Sequence, residues 1–177
     1  PSRRYLGIVS KGFRSCGLSR AALSAAARDQ RDFGIDTRLF TYGTLMRGES
    51  RHRYLATCVE NGPIEAEIFG TLHSFGDYPA LKIGGKRRVA LVSGELYRLK
   101  NQGELFKELD RIEGALEHHH RDAGFYRTPV QFGITETGRV RCGWAYVWWG
   151  DLPRMTKRIR EGGWRGIGVE RAALVLH

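Results

Sequence analysis

Apolar positions along the chain recur mostly at the two-residue spacing of half-buried strands. Leu39–Leu45 reads as a strand running into a Gly turn. Ile64–Phe75 is rich in β-formers and alternates in part, with Gly70 expected as a bulge. Val89–Leu99 follows as another strand, and Tyr126–Ile134 as one that Pro129 assigns to a sheet edge. Val140–Trp149 is a strongly aromatic strand. The helical spacing is clearest over Glu104–Glu113, where Leu105, Phe106, Leu109 and Ile112 share one face and Gly114 supplies the stop. Ser19 is placed to cap a helix running to about Phe33, and Arg154–Glu161 is expected as a short helix. No repeat occurs at solenoid spacing. Strands outnumber helices, so the predicted class is α+β, with a curled or barrel-like sheet rather than a doubly wound one.

Composition narrows the class without changing it. A chain of 177 residues suits one domain, and 41% hydrophobic with 27% charged residues suits a folded protein that needs no metal or disulfide to hold its core. The longest apolar runs are a few residues, too short to span a membrane. Cys16, Cys58 and Cys142 are scattered and form no C-x-x-C, which argues against a disulfide framework or a zinc knuckle and for a reducing compartment.

Charge is unevenly spread. The net charge is +10, yet residues 39–150 carry 15 basic and 13 acidic groups, only +2. Residues 1–38 carry 8 against 3 and residues 151–177 carry 6 against 3, so the two ends hold +8. This divides the chain into a basic N-terminal extension (1–38), a near-neutral domain (39–150) and a basic C-terminal extension (151–177). Such ends suit an acidic partner; the plain alternative is a pair of arms whose charge only aids solubility. Residues 1–28 hold six Arg or Lys and no acid, and the sequence starts at Pro1 rather than Met. That composition resembles an organelle transit segment or the mature end behind one, so a mitochondrial matrix location is the expectation, with the cytoplasm as alternative.

Three patterns carry less than they promise. Gly84–Arg88 lacks the second spaced Gly and the Ser/Thr of a phosphate loop, and reads as a basic hairpin turn. The Gly-rich stretch 162–168 does not open a helix after a strand; a tail packed by Trp164 is the ordinary reading, base stacking by Trp164 and Arg165 the sharper one. His118, His119 and His120 are adjacent, so their side chains diverge, and no further ligand stands at metal spacing. No metal and no cofactor is expected.

The chemistry-bearing residues form an ordered set. Tyr42-Gly43-Thr44-Leu45 is followed by Met46-Arg47-Gly48 and His52, then by Gly76-Asp77-Tyr78-Pro79, Gly94-Glu95-Leu96-Tyr97, Leu109-Asp110-Arg111-Ile112-Glu113, Tyr126-Arg127-Thr128-Pro129 and Trp144-Ala145-Tyr146-Val147-Trp148. A carboxylate at Glu113 can act as a general base on an ammonium group. Its place in the last turn of a helix, at the negative end of the dipole, is expected to raise its pKa. A Gly turn after a strand exposes N–H groups to a carboxylate or oxyanion, and Gly43 permits close approach. Tyr42, Tyr78 and Tyr126 are placed either to wall a pocket or to fill the core. Glu95 is either a second carboxylate at the barrel mouth or an outward surface group.

This set, over about residues 38–150, resembles the γ-glutamyl cyclotransferase-like superfamily, and within it the γ-glutamylamine cyclotransferase and AIG2-like branch. The resemblance implies a small mixed β-barrel with a few short helices. It implies an enzyme that takes a small γ-glutamyl amine or peptide and releases 5-oxoproline without a cofactor. It places the catalytic acid/base at Glu113 and the substrate cradle at Tyr42, Gly43, Thr44 and Leu45. The segment Gly114–Phe125, which holds the histidine run, is longer than the resemblance leads one to expect. The rival reading is a structural or accessory subunit of a large RNA-containing assembly, such as a mitochondrial ribonucleoprotein. There the fold is reused and the basic arms dock on RNA, with Arg3, Arg4, Lys11 and Arg14 among the contacts.

Overall fold

The computed structural model describes residues 37–83, 90–100, 102–115, 123–159 and 163–165. In chain order these form β1 (Arg38–Thr41), α1 (His52–Ala56), β2 (Val59–Ser74), β3 (Pro79–Lys82), β4 (Ala90–Leu99), α2 (Gln102–Glu113), β5 (Gly124–Ile134), β6 (Val140–Trp149) and β7 (Lys157–Ile159). The expected helix over 19–33, the basic turn 84–88, the residues Arg3, Arg4, Lys11 and Arg14, and the histidine run all lie outside the described residues. Among the described residues no helix is long and apolar enough to cross a membrane.

The strands run in the order β3-β2-β4-β1-β6-β5. A further pairing of β2 with β5, Ala66 opposite Ile134 and Glu67 opposite Gly133, closes β2, β4, β1, β6 and β5 into a ring. The pairs are antiparallel except β1 with β6, where Leu39 lies opposite Trp144 and Phe40 opposite Ala145. The architecture is the expected α+β one, a mixed ring of strands with two short helices.

The two-residue period explains how β2 serves this ring. Ala66, Ile68 and Leu72 alternate inward and are buried, while Glu65 and Glu67 point away. They meet Phe40, Val92, Leu96, Val130, Phe132, Ala145 and Val147 in one cluster, with the Phe40 and Phe132 rings stacked at 6.3 Å. Gly70 was expected at a bulge. It pairs in register with Ala90, and the irregularities fall instead between Val59 and Ile64. Gly70 is small for another reason: a Cβ there would lie 2.7 Å from Leu81 Cδ1 and 2.8 Å from the Lys82 carbonyl, so it lets β3 approach.

The chain beyond residue 150 also enters this core. The helix expected over Arg154–Glu161 does not form. Thr156 turns back on the Pro153 carbonyl through both its N–H (3.1 Å) and its hydroxyl (2.8 Å), and β7 then pairs with the end of β2. The segment has no apolar stripe to bury as a helix, since Met155 is almost wholly exposed, whereas β2 offers unpaired ladder groups. Trp164 then packs into the main cluster.

Candidate active site

Backbone ties hold the Tyr42–Leu45 turn in one shape. Met46 N–H donates to the Gly43 carbonyl at 2.9 Å, and Arg51 N–H to the Thr44 carbonyl at 2.9 Å. The Tyr42 ring turns inward, where its hydroxyl donates to the Tyr146 carbonyl at 2.7 Å and accepts the Leu81 N–H at 3.3 Å. The turn is thereby fastened to β6 and β3 at once. Gly43 lies against Pro79 so closely that a Cβ would sit 2.4 Å from Pro79 Cγ. His52, in α1, holds the far end of the turn through Nδ1 and the Leu45 carbonyl at 3.0 Å.

Helix α2 delivers the carboxylate. Leu105, Phe106 and Leu109 are buried, as their spacing predicts, and the helix ends at Glu113 with Gly114 at φ +61°. Glu113 faces a pocket whose other walls are Phe40 and Thr41, the whole turn Tyr42–Leu45, Tyr78 with Pro79, and Tyr146. Its side chain is only 11% exposed. Burial pushes its pKa above the usual carboxylate range, and the Arg51 guanidinium, with Nη1 3.3 Å from Oε1, partly opposes that shift. The direction matches the expectation from the helix end, but burial is the main cause.

Tyr146 completes the wall. Its hydroxyl donates to Asp110 Oδ1 at 2.7 Å, and burial and the Asp110 charge push the phenol far above its ordinary range, so it stays a neutral donor. Asp110 is three residues before Glu113 on α2, which places both carboxylates on one side of the helix. Arg127 Nη2 donates to Asp110 Oδ2 at 3.2 Å. Its Nε lies 3.1 Å from Oδ1 but outside hydrogen-bonding angle. The guanidinium is held between Phe106 (3.9 Å) and Trp144 (5.1 Å).

The structure thus brings Tyr42, Gly43, Thr44, Leu45, Tyr78 and Glu113 around one cavity. Tyr126 does not join them. It lies opposite Val147, and cross-strand partners share a face, so alternation sends Tyr126 with Val147 and Tyr146 to the other side. Glu95 is neither at the pocket nor on the surface. It is buried, and it accepts Arg47 N–H (2.7 Å), the Tyr97 hydroxyl (2.7 Å) and Arg165 Nη2 (2.8 Å), so it clamps the loop behind the turn. Tyr146, Arg51 and Pro79 were missed as site residues. The alternation of the aromatic strand could have separated Tyr146 from Val147, whereas no local signal marks Arg51. Among the described residues no group of three or more His, Cys, Asp or Glu could hold a metal ion.

A mixed ring of strands that presents a buried carboxylate to a Gly turn is the arrangement of a small-molecule enzyme of the cyclotransferase kind. The family model described as gamma-glutamyl cyclotransferase, AIG2-like, matches residues 39–166, and the chain belongs to that family. The match reaches past residue 150, over β7 and Trp164. A Niallia circulans protein named gamma-L-glutamyl-butirosin B gamma-glutamyl cyclotransferase is 34% identical over 62% of this chain, which spans 65% of that relative. A putative gamma-glutamylcyclotransferase of Vibrio cholerae is 30% identical over 71% of this chain and 93% of its own. Among solved structures, YkqA from Bacillus subtilis superposes with a TM-score of 0.58 at 20% identity, over 78% of this chain and 43% of YkqA. The uropathogenic E. coli protein c4763 gives 0.52 at 18%, over 75% and 94%. These two likenesses are of fold.

Proposed function

We propose that the chain is a γ-glutamyl cyclotransferase, cyclising the γ-glutamyl part of an amine or peptide to 5-oxoproline, with Glu113 as general acid/base. The observation that carries this reading is the buried Glu113 carboxylate facing the Tyr42–Leu45 turn across one pocket. Glu113 takes a proton from the substrate's α-ammonium, and the freed amine attacks the γ-carbonyl carbon. The N–H groups of the turn stabilise the oxygen as it gains negative charge. Ring closure breaks the bond to the leaving nitrogen, and Glu113 returns the proton there, so the product amine departs with it. Burial suits Glu113 to both halves: a raised pKa makes the carboxylate a stronger base and its acid a ready donor near neutrality. Tyr146, kept neutral, offers a polar wall without competing for the proton.

Incubation with γ-glutamyl amines and dipeptides tests this by the appearance of 5-oxoproline. Glu113→Gln is expected to keep the fold and to lose about 10²–10⁴-fold in turnover, the usual worth of general acid–base help. Undiminished turnover in that variant removes Glu113 from the mechanism. A wild type inactive on every such substrate removes the activity.

A further inference from the structure

We propose that Arg51 receives the substrate's α-carboxylate, exchanging its ion pair with Glu113 for one with the incoming amino-acid head. The proposal rests on the cyclotransferase reading of this pocket and adds a residue that selects its substrates.

The root of Arg51 is fixed and its head is not. Its N–H is tied to the Thr44 carbonyl of the pocket turn, while the guanidinium reaches the mouth, 6.0 Å from the centre of the Tyr78 ring. The side chain is 35% exposed, three times the exposure of Glu113. Both of its polar contacts are long and come from one atom: Nη1 lies 3.3 Å from Glu113 Oε1 and 3.3 Å from the Ile112 carbonyl. A guanidinium offers five donors in a fork that matches a carboxylate two at a time, so this single-atom contact leaves most of the fork unused.

Covalent geometry supplies the next step. In an amino-acid head the ammonium and the carboxylate are two bonds apart. With the ammonium on Glu113, the carboxylate falls beside whatever already neighbours Glu113, which is Arg51. The charges then alternate: guanidinium, carboxylate, ammonium, Glu113. One long ion pair in the free protein becomes three contacts between opposite charges. A substrate without the α-carboxylate would set ammonium and guanidinium side by side in competition for Glu113. The pocket would therefore discriminate γ-glutamyl from 4-aminobutyryl amides. The other titratable groups facing Glu113 are the phenols of Tyr42 and Tyr146, both held neutral by burial, so Arg51 is the cation that the substrate must displace.

Arg51 also bonds the last turn of α2 through Ile112, so the test must separate binding from helix capping. Wild type, Arg51→Gln and Arg51→Lys are compared on γ-glutamyl anilide and on 4-aminobutyryl anilide, which lacks only the α-carboxylate. Arg51→Gln is expected to raise KM for the γ-glutamyl substrate about 10–100-fold, the worth of a charge-assisted contact. It should leave the 4-aminobutyryl substrate unchanged or improved. The acid limb of kcat/KM should move to higher pH, because burial of Glu113 is then unopposed, and Arg51→Lys should restore part of both effects. Equal losses on the two substrates, with a lower melting temperature and an unmoved acid limb, overturn the proposal and leave a helix cap. If the wild type turns over neither anilide, the cyclotransferase reading fails by itself, and calorimetry with 5-oxoproline and 2-pyrrolidone decides the exchange. Selective loss of 5-oxoproline binding in Arg51→Gln upholds it; equal binding, or none to either ligand, overturns it.

Discussion

Arg165 Nη2 donates to Glu95 Oε1 at 2.8 Å and to the Arg47 carbonyl at 2.5 Å, so chain from beyond β7 fastens the loop that follows the pocket turn. Glu95 receives Arg47 N–H and the Tyr97 hydroxyl on its other oxygen, and Trp164 Nε1 donates to Glu49 of the same loop at 3.3 Å. The pocket's shape therefore depends on a carboxylate outside it.

Glu95→Ala should destabilise the protein by about 3 kcal/mol, since it leaves buried donors without an acceptor. Arg165→Ala removes a half-exposed partner and should cost under about 1 kcal/mol. Urea unfolding of the two variants checks the contrast; equal costs would show that the clamp is symmetric and the burial argument wrong.

Glu113 gives a pH-dependent stability of definite sign. Its folded pKa stands above its ordinary value of 4.5, so the folded state holds its proton more tightly and stability falls as pH rises through that window. Glu113→Gln removes the effect. The variant should therefore melt higher than wild type at neutral pH, with the gap closing at and below the ordinary carboxylate value. A gap independent of pH would contradict the raised pKa.

Tyr42→Phe deletes one hydroxyl and strands two backbone groups, the Tyr146 carbonyl and the Leu81 N–H. A loss of about 1–3 kcal/mol is expected, the cost of unsatisfied buried groups. Denaturant titration measures it. A loss of KM without any loss of stability would place the hydroxyl on the substrate instead.

Gly43→Ala would put a Cβ 2.4 Å from Pro79 Cγ and 2.8 Å from Cδ, against a stiff ring. The turn must move, at about 1–3 kcal/mol, and KM should rise with it. Pro79→Ala in the same chain should recover part of both, because it removes the atoms that clash; no recovery would mean that Gly43 is needed for reasons other than Pro79.

The sequence by itself determined the elements whose signals are local. The helix with Leu105, Phe106 and Leu109 on one face ends at Glu113 because the 3.6-residue period and the stop at Gly114 are written into consecutive positions. The strand Val140–Trp149 was legible with its boundaries, and so was the Gly turn that β1 enters. From these the carboxylate and the turn could be named as a pair. Which residues lie opposite them could not, because a period assigns faces and says nothing of what a face meets. Only the closing of the ring through β2 and β5 brings β6 beside β1, and with it Tyr146 to the pocket, 104 residues from the Tyr42 it touches. The fates of Glu95 and Tyr126 were settled the same way, one by three donors converging from separate segments, the other by the register of β5 on β6. Beyond residue 150, unpaired ladder groups on β2 and space for one indole in the core decided the outcome. Hydrogen-bond partners and cavities belong to the tertiary structure, since they arise from contacts between distant residues that no local pattern encodes.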